Sequence, residues 1–162
     1  MNIIISGKVI HGEHYGKKLG FPTANLDRRE YSRKKMRIKL GVWIGKVVII
    51  PNSEFLMPNK NQKSKIKNLK FYKAGIVISP LNKYQLPKIE AHLIGFKGNL
   101  YGKKLSLFLL KYLRPFKKFD NVKQLKAQIK KDIRAVKNTK SQTLNPKQIP
   151  IIKIQNNQLT KV

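Results

Sequence analysis

Cysteine is absent from this chain of 162 residues. Disulfides, thiolate metal sites and a cysteine nucleophile are therefore excluded, and the absence fits a cytoplasmic protein. Acids are scarce too. The only carboxylates are Glu13, Asp27, Glu30, Glu54, Glu90, Asp120 and Asp132, seven against 36 lysines and arginines. No apolar run reaches the roughly eighteen residues that a membrane-spanning helix needs. The first residues, MNIIISGKVIHG, lack the basic leader and small-residue cleavage site of a signal peptide. No internal repeat is visible. The length fits one domain with a real hydrophobic core.

The charge balance leaves a formal net charge of +29. Such a field draws polyanions, nucleic acid and anionic surfaces among them. The basic residues are spread along the whole chain, however, and the chain is rich in Ile and Asn. General solubility or an AT-biased genome would produce the same composition.

Residues 11–26, HGEHYGKKLGFPTANL, are the densest chemical stretch. Gly12, Gly16 and Gly20 allow positive φ or close approach of a ligand to the backbone. Lys17 and Lys18 supply mobile positive charge suited to phosphate. Pro22 fixes its own φ and drives Phe21 to an extended shape. If Thr23-Ala24-Asn25 is extended, the Thr hydroxyl and the Asn amide face one side. Two neutral oxygens, with phosphate oxygens and waters, suit Mg²⁺. The stretch is neither a Walker A loop nor a G-x-G-x-x-G fingerprint. A plain turn between strands is the alternative.

Strands are expected over 2–10, 42–50, 71–78, 88–95 and 105–113, from β-branched or alternating apolar runs. Ser79-Pro80 is expected to end the third of these, and Leu100-Tyr101-Gly102 to open the last. Trp43 is expected in the core rather than on a ligand. Within Lys88–Gly95, Glu90 alone interrupts a strand-like run. Pairing with a cross-strand lysine and a chemical role both explain it. His11, His14 and His92 have no recognised zinc spacing. Asp120 is a good N-cap for a helix from about Asn121. Val122, Leu125, Ile129, Ile133 and Val136 then form one apolar stripe expected to face the core. Residues 51–70 read as a lysine-rich loop, and 138–162 as a polar tail expected to be flexible, whose Ile149–Ile154 patch is apolar enough to dock.

Several of these segments carry one resemblance. Gly12, Gly16, Lys17, Leu19-Gly20-Phe21 and Pro22-Thr23-Ala24-Asn25 match the nucleotide loop of the riboflavin kinase (flavokinase) family. Ile89-Glu90-Ala91-His92-Leu93 resembles its catalytic strand, Asn99-Leu100-Tyr101-Gly102 its [DN]-[LF]-Y-G step, and YLRPFKKFD (residues 112–120) its L-R-P-E-x-[KR]-F-D run. Leu125 to Asp132 is similar to its closing helix. Two departures stand out: Ser79-Pro80-Leu81-Asn82 where the family commonly has a P-T-[FY]-like turn, and Phe116 where it has Glu.

The resemblance implies an all-β fold, a six-stranded antiparallel Greek-key barrel with a C-terminal amphipathic helix over residues 1–137. It implies phosphorylation of riboflavin by ATP, giving FMN and ADP. Glu90 would be the base. Gly12, Gly16, Lys17 and Tyr101 would bind ATP, and Thr23 and Asn25 would hold Mg²⁺. Arg114, Lys117 and Phe119 would line the flavin side. A cytoplasmic monomer without membrane association is expected. FAD synthesis is expected to be absent, because the chain opens at the first kinase strand. The rival from another class is a basic barrel that binds nucleic acid without kinase activity. A kinase fragment that needs an adenylyltransferase partner chain is a third reading.

Overall fold

The computed structural model describes residues 3–27, 29, 38–50, 69–81 and 86–140. Most of the lysine-rich loop and of the C-terminal stretch, with the Ile149–Ile154 patch, lies outside them. Six strands form: β1 (Ile3–Ile10), β2 (Ala24–Leu26), β3 (Gly41–Ile50), β4 (Phe71–Leu81), β5 (Pro87–Leu93) and β6 (Lys104–Arg114). A helical turn, α1 (Tyr15–Lys18), lies between β1 and β2, and a long helix, α2 (Val122–Asn138), follows β6.

The strands close into a barrel in the order β1-β2-β5-β4-β3-β6, every pair antiparallel. The meander β3-β4-β5 has β6 returning beside β3, which is a Greek key. Alternation along each strand sends one set of side chains inward. Ile5, Val9, Leu26, Val47, Ile76, Ile78, Ile89, Ala91, Leu105 and Leu107 belong to this central cluster, each at most 3% exposed. Each large side chain so buried contributes about 1.5–3 kcal/mol. The interior is therefore filled, and any site must lie on the outer wall.

β6 is buried on both faces, as its nearly continuous apolar run demands. Leu105, Leu107 and Leu109 join the central cluster, while Phe108 packs outside with Val48 and Ile50. Beside them Ser6 and Ser106 satisfy each other, Oγ to Oγ at 2.7 Å. Trp43 packs edge-on to Tyr112 against the central cluster, and its Nε1–H donates to the Lys39 carbonyl.

Four local expectations are corrected. The strand expected to stop at Ser79-Pro80 runs on to Leu81, through a register shift after Ile78. Proline, lacking an N–H, is tolerated at such an irregularity. Tyr101-Gly102 forms a turn and β6 starts only at Lys104, because Gly102 takes a φ of 76°. The cap of α2 is Asn121, not Asp120: Asn121 Oδ1 accepts from the Gln124 N–H at 2.9 Å. The apolar stripe of α2 faces the barrel, but only Val136 is fully buried, and Val122 is 47% exposed.

α2 is held at two points. In its third turn, Asp132 takes a bidentate fork from Arg114 at the end of β6, with Nη2 to Oδ2 at 2.7 Å and Nε to Oδ1 at 3.0 Å. At its C-terminus, Lys73 of β4 donates to the carbonyls of Lys137 and Thr139 at 2.8 and 2.9 Å, satisfying oxygens a helix end leaves free. Between these anchors the helix stands off the barrel wall and leaves a cavity.

Candidate functional site

The segment 11–23 forms a loop closed on itself. His14 is in the left-handed region (φ 57°), α1 follows, and the Phe21 N–H donates to the Gly16 carbonyl at 2.8 Å. A side chain at Gly16 would put its Cβ 2.6 Å from the Phe21 oxygen, so this closure requires glycine. His92 on β5 pins the loop from below: Nδ1–H donates to the Pro22 carbonyl at 2.8 Å, and the ring meets Phe21 edge-on.

β2 continues from the loop, with Ala24 and Leu26 in the core. Thr23 and Asn25 therefore face outward. Asn25 pairs directly with Glu90 in the sheet. Thr23 Oγ1 approaches Glu90 Oε1 at 3.5 Å, a long contact. Asn25 Oδ1 is buried and has no hydrogen-bond partner among the described residues. Gly12 lies against this amide. A Cβ there would fall 2.3 Å from Asn25 Nδ2.

Glu90 shares its face with Lys88, two residues before it. Lys88 Nζ is 3.3 Å from Glu90 Oε1 and 3.9 Å from Glu13 Oε2. Both contacts to Glu90 thus fall on Oε1, and Oε2 has no partner among the described residues.

Two cavities share Thr23 and His92 in their walls. One, of about 530 Å³, lies between the loop, the outer wall of the barrel and α2. Glu90, Lys88 and Thr23 stand at one end, and its walls are largely apolar, from Phe21, Val77, Leu125, Ile129 and Ile133. The other, of about 520 Å³, lies on the far side of the loop between β5 and the turn at 95–101. Lys17 and Tyr101 line it. Thr23 and His92 line both cavities. Each volume is in the usual range for a small-molecule site.

The ten residues singled out from the sequence distribute as follows. Thr23, Asn25 and Glu90 come together, with Gly12 behind Asn25. Gly16 lines the first cavity and Lys17 the second. Tyr101 in the second cavity stacks on His11 at 4.1 Å, and its hydroxyl meets His14 Nδ1 at 3.1 Å. Arg114, Lys117 and Phe119 line the first cavity. The Arg114 guanidinium is already committed to Asp132 and the Pro115 carbonyl. The Phe119 ring is 6.0 Å from the Arg114 guanidinium and 5.8 Å from the Lys117 ammonium.

Sequence reasoning missed Lys88 as a neighbour of Glu90, Glu13 as a neighbour of Lys88, and the stripe of α2 as a cavity wall. The two-residue alternation of β5 was the signal available for Lys88. Nothing in the sequence indicated how far α2 stands from the barrel. Among the described residues no helix is long and apolar enough to cross a membrane.

Comparison with known proteins gives a consistent result. The family model for flavokinase, described as riboflavin kinase, matches residues 1–140. A bifunctional riboflavin kinase/FMN adenylyltransferase of Buchnera aphidicola subsp. Schizaphis graminum is 37% identical over 133 residues, 82% of this chain and 37% of that protein. The RNA-binding riboflavin kinase RibR of Bacillus subtilis is 32% identical over 134 residues, covering 82% of this chain and 49% of RibR. The chain thus spans less than half the length of these relatives. Among solved structures, a riboflavin kinase from Trypanosoma brucei has the same fold, with a TM-score of 0.58 at 19% identity, over 98% of this chain and 85% of that one.

Proposed function

This chain belongs to the riboflavin kinase family, and on that premise we propose that it transfers the γ-phosphate of ATP to the ribityl 5′-hydroxyl of riboflavin, giving FMN and ADP. The observation that carries this reading is the convergence of Thr23, Asn25 and Glu90: Thr23 lines both cavities, Glu90 lines the first, and Asn25 is the partner of Glu90 across β2 and β5. Phosphoryl transfer asks a protein mainly for positioning and charge neutralisation. A donor cavity and an acceptor cavity that share Thr23, with a carboxylate in the wall of the acceptor cavity, supply that.

Riboflavin occupies the first cavity, its ring against the apolar walls and its mouth closed by Lys117 and Phe119. Arg114 contributes by holding α2 in place through Asp132. ATP occupies the second, with Lys17 on its phosphates and Tyr101 beside them. Glu90 Oε2 accepts the hydroxyl proton as the ribityl oxygen bonds to phosphorus and the bond to the ADP oxygen breaks. The residues present fit a divalent cation. Thr23 Oγ1 and Asn25 Oδ1, which has no partner among the described residues, are hard oxygen donors, and such a small set suits Mg²⁺, which keeps waters and substrate phosphates as its other ligands. When bound, the metal supplies charge neutralisation at the phosphates. We read the working unit as a monomer, and the lack of cysteine agrees with the cytoplasm.

Purified protein incubated with riboflavin and Mg-ATP should yield FMN, seen as a chromatographic shift. Absence of product under varied metals would overturn the reading. The rival, nucleic-acid binding, draws on the charge of +29. It gives Thr23, Asn25 and Glu90 no task. RNA binding that persisted near physiological salt, without flavin phosphorylation, would favour it.

A further inference from the structure

Resting on the kinase reading, we propose that Lys88 is a positioning residue that fixes the Glu90 carboxylate for proton transfer and ties the nucleotide loop to it. A glutamate side chain ends in a broad, two-fold torsion, so an unanchored carboxylate samples many orientations. Here both neighbours sit on one oxygen. Lys88 Nζ is 3.3 Å and Thr23 Oγ1 3.5 Å from Oε1. Of the two, the lysine makes the shorter and charge-assisted contact. With Oε1 held, Oε2 is left to face the reacting hydroxyl.

The backbone of Lys88 is itself held. Its N–H donates to Ser79 Oγ at 3.1 Å, and the same hydroxyl reaches the Lys88 carbonyl at 3.4 Å. Ser79 lies at the register shift in β4. The serine expected to end β4 thus clamps the strand that carries both lysine and glutamate. On the other side, Lys88 Nζ lies 3.9 Å from Glu13 Oε2 on the loop. One ammonium therefore bridges the base on β5 and the loop that borders both cavities.

The test is a double-mutant cycle read in kcat. Lys88→Met should lower kcat about ten- to hundredfold, the cost of a small misplacement of a catalytic group. The KM for riboflavin and the quenching of flavin fluorescence on binding should stay near wild type, and Lys88→Arg should recover most of the rate. Introduced into a Glu90→Gln background, Lys88→Met should cost nothing further, because its effect passes through the glutamate. A multiplicative loss in that background would show that Lys88 acts on substrate directly and would overturn the proposal. So would an unchanged kcat in Lys88→Met alone. A wild-type protein that makes no FMN would instead sink the kinase reading. Thermal melts of each variant separate misfolding from misplacement, and Lys88→Gln serves if Lys88→Met fails to fold.

Discussion

The two faces of β5 carry opposite chemistry in one short strand. Ile89, Ala91 and Leu93 point inward, at 1, 0 and 6% exposure. Lys88, Glu90 and His92 point outward, and each contacts either the loop 11–23 or another member of the face. The inner face stabilises the barrel by removing apolar surface from water. The outer face does little for stability, since partly exposed ion pairs contribute little. It places a carboxylate in the wall of the first cavity instead. A barrel with a filled interior can therefore host a site only on its wall, and α2 with the loop makes that wall concave.

This division can be broken by substitution on either face. Glu90→Gln should cost the most activity, about 10²- to 10⁴-fold in turnover, as loss of a general base does. Its thermal melt and riboflavin binding should be unchanged. A normal rate of FMN formation in this variant would remove the outer face's claim to the chemistry. On the inner face, Ile89→Ala should cost about 2–5 kcal/mol of stability, measured by urea titration. The folded fraction should keep its turnover per molecule. A selective loss of kcat there would mean the faces are not separable.

A smaller effect is expected from Gly12→Ala, whose Cβ would collide with the Asn25 amide. The metal concentration for half-maximal turnover should rise about ten- to hundredfold, as when a group that orients a metal ligand is disturbed, while the melt stays near wild type. The smallest effect lies on the outer wall under the end of α2. Burial, and next the charge of Lys73, lower the Lys46 pKa from its ordinary 10.5. A lysine so shifted binds its proton less well folded than unfolded, so stability rises with pH between its folded value and 10.5. Lys46→Met should melt slightly higher than wild type at pH 7, with the gap narrowing as the buffer becomes alkaline.

Much of the barrel was legible beforehand. β3 and β6 announce themselves as Val-, Ile- and Leu-rich runs, and β5 as alternation around Glu90. Failures came where local signals were overruled. Ser79-Pro80 reads as a stop, yet β5 pairs beyond it and draws β4 on to Leu81. Leu100-Tyr101-Gly102 reads as strand, yet Tyr101 is taken up by stacking on His11, ninety positions away in sequence. In the loop, the helical turn Tyr15–Lys18 carries no periodic signal because four residues are too few to show one.

The sequence by itself determined which residues are inward and which outward, because a period of two leaves no freedom once a strand is paired. It also determined that one carboxylate, Glu90, would be carried on an outward face. Only the tertiary structure decided that Thr23 and Asn25 stand opposite that carboxylate, that Lys88 and Thr23 share one of its oxygens, and that Arg114 is spent on Asp132. Those contacts join residues up to 67 positions apart, and their geometry depends on the register of β2 on β5 and on where α2 is anchored, which no local run of residues encodes.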